Sequence, residues 1–437
     1  MIPPMPSRRT FLRTGSLAAL ACVASTSSVA AQPQAADALP PAFAALTSMR
    51  HLATPITNAE RVARIEKARR LMAEHKMDAL LLTGGTSLAY FTGLRFGTSE
   101  RLTALVLPLK GAPFIVCPQF EVERLSAQIK TSPLQNGDIR AWHEDESPYQ
   151  RVGQALRDRG ISTGRIGIEE TVRFVFSDGI ANANPSLTLT SATPVTAGCR
   201  MIKDAHEVSL LRVAGQATRA CYAALYASLT PGMTEATART LVSAGYTKLG
   251  FRGSVSVQLD AYTALPHGSD EPQTVRPNSI VMVDDGCVAE GYQSDLTRTF
   301  VVGTPTDKQR RVFDIVVAAQ KAALAAARPG VTLASVDAAA RKVIVDAGYG
   351  PGFTYFTHRL GHGLGMDMHE WPYLVDHNMY GWESPVLKPG MVFSNEPGIY
   401  IPGEFGVRLE DDMVVTDSGA ELLTAPSTSI DRPFDRA

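Results

Sequence analysis

The sequence contains few cysteines, almost no net charge and no long apolar run. Its five cysteines show neither CxxC nor zinc-type spacing, which excludes a cysteine-based metal or redox centre of that kind. A formal net charge of -1 gives no basic surface for a nucleic-acid partner. The apolar run at residues 17–23 is far too short to span a bilayer, and no later run is long enough. An apolar content of 45% predicts a globular chain with free cysteines in its core.

The first 31 residues resemble an export signal of the twin-arginine type. Arg8 and Arg9 precede the apolar run at 17–23, and small residues follow as a cleavage site. Removing residues 1–31 takes away three arginines and no acid, so the net charge changes from -1 to -4. We therefore expect export to the periplasm or secretion. The alternatives are a chance arginine pair in a disordered start, or lipid attachment at Cys22 in a poor lipobox.

The rest of the chain divides into a spacer and two domains. Residues 32–57, rich in Ala, Pro and Thr, predict a spacer. In residues 58–196 strand-like runs alternate with helical patterns, which predicts an α/β domain without metal-type ligands. In residues 197–437 we expect an α+β domain, with helices on one side of a mostly antiparallel, curved sheet. Its predicted helices cover about 205–229, 235–248, 307–327 and 333–347.

Two aspartates stand at the mouth of a predicted hairpin. The apolar run Ile280 to Val283 reads as a buried strand ending at Asp284, and the chain returns through Asp295 into another β-prone run. Two carboxylates side by side in an apolar core are costly unless a cation neutralises them. Taken alone, this stretch is equally consistent with two aspartates that simply form the turn of a hairpin and bind no cation.

An internal duplication favours the metal interpretation. Pro277 is followed by six residues and Asp284, and Pro389 is followed by six residues and Glu396. Upstream, Thr-Pro-Gly-Met-Thr is echoed by Arg-Pro-Gly-Val-Thr, and downstream Asp295 has a counterpart in Glu410. Four carboxylates from two related halves balance the charge of two divalent cations.

Histidines occur near both acidic strands. His362 lies in a Gly-rich segment between His358 and His369, directly before the second acidic strand, and glycine allows close approach to an ion. His267 has a comparable position in the first half. The remaining five histidines have no such setting and are interpreted as surface or packing residues.

These motifs resemble the pita-bread metallopeptidases, in the Xaa-Pro aminopeptidase and prolidase branch. The similarity covers about residues 59–418. It implies a pita-bread catalytic domain with pseudo-twofold duplicated halves, preceded by a smaller creatinase-like α/β domain. The family's metal ligands correspond, in chain order, to Asp284, Asp295, His362, Glu396 and Glu410.

The resemblance also implies roles for groups around the ligands. His267 and His369 would flank the substrate and stabilise the tetrahedral intermediate, and His358 would lie near the cleft. Glu396 would also carry a proton to the leaving nitrogen. Arg408 would hold the acidic ligands in place, since parity puts it on one strand face with Glu410. Asp285 departs from the family's small or apolar residue and is expected, by parity, to face away from the metals.

The function implied is an exported peptidase that cleaves Xaa-Pro bonds with a hydroxide bridging two divalent cations. Oxygen-rich ligation with a single histidine favours Mn²⁺, with Zn²⁺ and Co²⁺ as alternatives. The substrate would be a proline-containing peptide, and analogy favours a homodimer. The competing hypotheses are a non-peptidase hydrolase or lyase on the same scaffold, and a binding module with a dead site. All five ligands are present, which argues against the last.

Overall fold

The computed structural model describes residues 39–135, 137–375 and 386–435. Three parts of the predictions lie outside the described residues: the predicted signal peptide at 1–31, residues 32–38 of the predicted spacer, and His377. From Pro40 onward the described residues belong to a single unit.

The first part of this unit is an α/β layer built on one six-stranded sheet. Alternate residues of the first strand enter different cores, with Leu80 and Leu82 on one face and Ala79 and Leu81 on the other. The sheet order is β4-β3-β2-β1-β5-β6, antiparallel for β1–β2 and β2–β3 and parallel elsewhere. The strands are β1 Ala79–Thr83, β2 Ala104–Pro108, β3 Phe114–Pro118, β4 Asp138–Trp142, β5 Gly164–Ile168 and β6 Leu187–Ser191.

Seven helices lie in this part of the described chain; six of them accompany the sheet, and the first packs against helices of the following domain. The first long one begins at a capping box in which Thr57 and Glu60 satisfy each other's backbone N–H groups. The helices are α1 Pro41–Ala44, α2 Asn58–Glu74, α3 Thr86–Thr92, α4 Val122–Ile129, α5 Pro148–Asp158, α6 Phe174–Ala183 and α7 Thr193–Arg200. Single 3₁₀ turns lie at Arg50–Leu52 and Gln119–Glu121. The predicted α/β character of this part is confirmed.

Helix α7 connects the N-terminal α/β part to the second domain. Val195 and Cys199 belong to the core under the six-stranded sheet, whereas Ala197 and Met201 pack into the core of the following domain. The helix runs across the predicted domain boundary at 196/197. Arg200, its last residue, is therefore placed at the junction of two cores.

Helix pairs alternate with strands in the second part. Asp204 and Thr306 each cap a long helix with a capping box, and Thr234 and Thr332 cap the partner of each pair. The helices are α8 Ala205–Tyr226, α9 Glu235–Leu249, α10 Asp307–Ala326 and α11 Leu333–Asp346. All four predicted helices are confirmed, with ends shifted by up to three residues.

The strands of this domain are short and pair antiparallel. They form four small sheets rather than the single curved sheet expected, with orders β11-β10-β7, β12-β9-β8, β14-β13-β15-β18-β19 and β16-β17. A 3₁₀ turn at Asp260–Ala264 separates β8 from β9. The strands are β7 Arg252–Gly253, β8 Ser256–Leu259, β9 Ile280–Asp284, β10 Cys287–Ala289, β11 Tyr292–Gln293, β12 Arg298–Val301, β13 His362–Gly363, β14 Glu370–Tyr373, β15 Val392–Asn395, β16 Gly398–Ile401, β17 Phe405–Arg408, β18 Asp411–Val415 and β19 Ala420–Leu422.

The expectation of free cysteines in the core is confirmed in the described part of the chain. Cys117, Cys199, Cys221 and Cys287 are free and buried. None of the helices in the described part of the chain combines the length and apolar content needed to cross a bilayer.

Candidate metal centre

Both halves of the second domain deliver their acids to one cavity of about 880 Å³. Asp284 ends β9 and Asp295 precedes β12, its antiparallel partner. From the second half, Glu396 follows β15, and Glu410 lies in the two-residue link between β17 and β18. Asp295 therefore lies just before a strand, as the sequence pattern indicated, whereas Glu410 lies between two strands and not within one strand with Arg408.

The five predicted ligands lie within reach of shared ions. Ligand atoms of Asp284, Asp295 and Glu410 lie within 4.8 Å of one another, as do those of His362, Glu396 and Glu410. Glu410 belongs to both groups. A third group of this kind joins Asp295 and His362 to the exposed imidazole of His369.

His362 presents an unprotonated ring nitrogen to the carboxylates. Its Nδ1 lies 3.1 Å from the carbonyl oxygen of Gly363, and its Nε2 lies 3.3 Å from Glu396 Oε1 and 3.7 Å from Asp295 Oδ2. Burial, together with the nearby His369, lowers the pKa of His362 to about 3. A neutral imidazole whose Nδ1–H donates to a carbonyl leaves Nε2 free to bind a metal.

The acids repel one another where no cation separates them. Burial and the charges of Asp284 and Asp412 raise the pKa of Asp295 well above its usual range. Burial and the charges of Asp295 and Glu396 do the same for Glu410. Burial also raises the pKa of Glu396 to about 7. Divalent cations would remove this repulsion, so four carboxylates and one neutral imidazole fit two such ions.

Arg408 is paired with the one acid of the four whose pKa is lowered. Burial alone would raise the pKa of Asp284, but the charge of Arg408 and a bond from Thr297 outweigh it. Arg408 Nη2 donates to Asp284 Oδ2, Nε donates to Thr297 Oγ1 at 2.9 Å, and Nη1 donates to Tyr400 Oη at 2.9 Å. Arg408 and Glu410 both line the cavity and both contact Thr297, and of the two only Arg408 lies within a strand.

A hydrogen-bonded chain leads from Arg408 to His358. Tyr400 Oη lies 2.7 Å from His358 Nε2, and His358 Nδ1 lies 2.7 Å from the carbonyl oxygen of Arg359. Burial and the charge of Arg408 lower the pKa of His358 to about 3. His358 is therefore neutral, donates through Nδ1 and accepts from Tyr400.

His267 and His369 line the same cavity and are both exposed. The ring centroid of His369 lies 3.9 Å from that of His362. Asp285 also lines the cavity, which corrects the expectation that it faces away. Its backbone φ of +90° breaks the strand alternation on which that expectation depended. Burial and the charge of Asp284 raise the pKa of Asp285 to about 6.

Several site residues were missed by reasoning from the sequence. Thr297 contacts Asp284 Oδ1 and Glu410 Oε2, each at 2.6 Å. Ser394 accepts from the backbone N–H of His362 and donates to Glu396 at 3.1 Å. Asp412 accepts from the backbone N–H of Asp295 at 3.2 Å. The only signal for Thr297 was its place two residues after Asp295.

The fold and this centre together define a metallopeptidase with a duplicated catalytic domain and an α/β N-terminal domain. The model of the metallopeptidase family M24 matches residues 209–417, and that of the creatinase/prolidase N-terminal domain matches residues 64–202. The chain belongs to the M24 metallopeptidase family.

Relatives of this family are similar over most of the chain. A probable dipeptidase PepE of Mycobacterium tuberculosis is 38% identical over 379 residues, covering 83% of this chain and 96% of the relative. An Xaa-Pro dipeptidase of Lactobacillus delbrueckii subsp. lactis is 34% identical over 375 residues, covering 84% and 98%. The crystal structure of dipeptidase PepE from Mycobacterium ulcerans matches with a TM-score of 0.78 at 36% identity, covering 86% of this chain and 98% of that one.

Proposed function

We propose that this metallopeptidase hydrolyses the peptide bond that precedes proline, in Xaa-Pro dipeptides or at the start of longer peptides. The observation that carries the proposal is the grouping of all five ligand side chains with three histidines and Arg408 around one cavity. Similarity to a protein named as an Xaa-Pro dipeptidase supports it.

Two divalent cations are proposed to be held by five side chains: Asp284, Asp295, His362, Glu396 and Glu410. Glu410 and Asp295 each belong to two of the candidate groups, which suits residues that bridge two ions. One nitrogen among otherwise oxygen ligands favours Mn²⁺, with Zn²⁺ and Co²⁺ as alternatives. When bound, such ions supply an activated water molecule and polarise the scissile carbonyl.

The side chains around this centre are proposed to have separate roles in proton transfer, charge stabilisation and ligand positioning. Glu396 lines the cavity and would accept a proton from water and pass it to the leaving nitrogen. His267 and His369 line the open side of the cavity, where an imidazole N–H can donate to the carbonyl oxygen as negative charge develops. Arg408, held by Tyr400 and Thr297, fixes the Asp284 carboxylate.

Substrate preference tests the proposal. Proline contributes a tertiary amide nitrogen without an N–H, which distinguishes an Xaa-Pro bond from the secondary amide of an Xaa-Ala bond. We expect matched Xaa-Pro dipeptides to be hydrolysed at least about tenfold faster than Xaa-Ala dipeptides, roughly 1.4 kcal/mol in barrier. Equal rates would indicate a general dipeptidase. Failure to cleave either peptide with metals bound would favour a non-peptidase hydrolase or lyase.

We also propose export by the twin-arginine route. The support is the sequence pattern around Arg8 and Arg9 alone. The double variant Arg8→Lys, Arg9→Lys is expected to leave the precursor in the cytoplasm. Fractionation of cells that express each form measures this, and an unchanged yield of processed protein outside the cytoplasm would refute it.

A homodimer is proposed only by analogy with the family. Light scattering coupled to size-exclusion chromatography would give a mass near twice 46.9 kDa, less the signal peptide, if the analogy holds. A mass of one chain at micromolar concentration would refute it.

A further inference from the structure

Two of the histidines at the centre are joined by a short loop, residues 362–370, termed here the histidine loop. Its base is closed by the pairing of Gly363 with Glu370, which brings His362 and His369 together. Gln293 holds the loop from one side: its backbone N–H donates to the carbonyl oxygen of Gly365 at 2.8 Å, and its Nε2 donates to that of Met366 at 2.9 Å. The position of His369 in the cavity therefore depends on how this loop is fixed.

Glu370 points away from the cavity into a buried cluster of charges. Its Oε1 accepts from Lys203 Nζ at 2.8 Å, and its Oε2 accepts from Arg200 Nη2 and from the backbone N–H of Asp367 at 3.3 Å. Arg200 Nη2 also donates to Asp367 Oδ2 at 2.5 Å. Two cations thus face two carboxylates. Burial would raise the pKa of Glu370, but Arg200 and Lys203 lower it, so this carboxylate is ionised.

The partners of the histidine loop belong largely to the N-terminal domain. Arg200 ends α7, whose Val195 and Cys199 pack into the core under the six-stranded sheet. Thr86, the first residue of α3, donates to Asp367 Oδ1 at 2.5 Å, and Met366 packs against the same N-terminal core. The N-terminal domain therefore contacts the loop at three points: through the Arg200 guanidinium, through the Thr86 hydroxyl, and through the apolar core against which Met366 packs.

We propose that Glu370 is a positioning residue for His369, and that the N-terminal domain sets this imidazole through Arg200, the last residue of α7. Lys203, which is hydrogen-bonded to Gly390 of the second domain, supplies the other cation. Glu370 is the first residue of β14 and His369 directly precedes it in the loop, so fixing Glu370 also fixes the backbone from which His369 projects. The observed burial agrees, since Glu370 is 7% exposed whereas His369 is exposed in the cavity wall. The catalytic role of His369 rests on the proposed function, but its placement by Glu370 does not.

Glu370→Gln tests the positioning because it keeps the shape and removes the charge. We expect kcat on Xaa-Pro dipeptides to fall by about tenfold or more, since small displacements of a catalytic group are costly. KM and the content of bound metal should stay close to wild type. In the His369→Ala background, Glu370→Gln should have no further effect on kcat, because its contribution acts through that imidazole. Additive losses in kcat, or loss of metal from Glu370→Gln, would overturn the proposal.

A second measurement does not depend on any substrate. The rate at which diethylpyrocarbonate modifies His362, the buried histidine at the base of the loop, is followed by peptide mass spectrometry in the metal-free chain. It should rise about threefold or more in Glu370→Gln as the loop opens more often. The matched control is Glu207→Gln, which breaks another buried pair between the two domains, Glu207 with Arg64 at 3.3 Å. An unchanged rate at His362, or an equal rise in the control, would refute the positioning. A wild-type enzyme inactive on Xaa-Pro peptides would refute the proposed function alone.

Discussion

Replacing Thr297 by valine tests how the metal centre is organised. The Thr297 hydroxyl lies 2.6 Å from Asp284 Oδ1 and 2.6 Å from Glu410 Oε2, and accepts from Arg408 Nε at 2.9 Å. A hydroxyl has one proton, so it donates to only one of the two acids. Thr297 is therefore placed to donate to either Asp284 or Glu410 while Arg408 donates to it.

The magnitude follows from the number of partners that lose a bond. Valine has the shape of threonine without the oxygen, so it leaves Arg408 Nε and two carboxyl groups short of one partner in a buried site. A buried group left unsatisfied costs about 1–3 kcal/mol, and loss of a residue that orients metal ligands typically weakens metal binding by about 10–100-fold. We therefore expect Mn²⁺ affinity to fall by about 1.4–2.8 kcal/mol in Thr297→Val.

Competition between the protein and a chromogenic chelator measures this affinity. Thr297→Ser is the matched control, because it keeps the hydroxyl and should bind Mn²⁺ within about threefold of wild type. Thermal unfolding of the metal-free variants separates a binding defect from a folding defect. Wild-type Mn²⁺ affinity in Thr297→Val, or an equal loss in both variants, would refute the assigned hydrogen bonds.

Three further predictions concern the same site. The metal-free chain should lose thermal stability as pH rises from about 4.5 towards 7, because the raised pKa values of Asp285, Asp295, Glu396 and Glu410 make the folded state bind more protons there than the unfolded state. These four acids outnumber His358 and His362, whose lowered pKa values act in the opposite direction. A midpoint that is constant or rises over this range would contradict the prediction. His362→Ala should lose bound metal, whereas His267→Ala and His369→Ala should keep metal and lose about a hundredfold in kcat; metal analysis showing the reverse would exchange these roles. Asp285→Gly should raise the thermal midpoint of the metal-free chain, since glycine tolerates φ of +90°; a lower midpoint would show that the Asp285 side chain stabilises the fold.

The sequence allowed the ligand residues to be proposed because each lies in its own local motif. The acids stand at strand ends, and the Pro-to-acid spacing repeats in both halves, so Asp284 and Glu396 could be paired without coordinates. The helices could be predicted because their apolar faces and capping residues are local as well. The assignment of these five residues as metal ligands stays a prediction until bound metal is measured.

Other features depend on contacts between distant residues and could not be read from the pattern. Thr297 and Arg408 are 111 residues apart, and the role of Thr297 appears only when the fold brings the two side chains together. Asp285 was assigned to the wrong face because strand parity assumes a regular backbone, and its φ of +90° is irregular. The single sheet expected is divided into four because its strands are only two to five residues long.

The dependence of turnover on bound metal tests the central claim most directly. Metal-free protein is titrated with Mn²⁺, and bound metal and Xaa-Pro hydrolysis are measured on the same samples, for the wild type and for Asp295→Asn and Glu410→Gln. We predict that turnover follows occupancy and saturates at two ions per chain, and that both variants lose metal and nearly all activity, since each removes a carboxylate shared between ligand groups. Full turnover without metal, or wild-type turnover with two ions retained in both variants, would contradict the account.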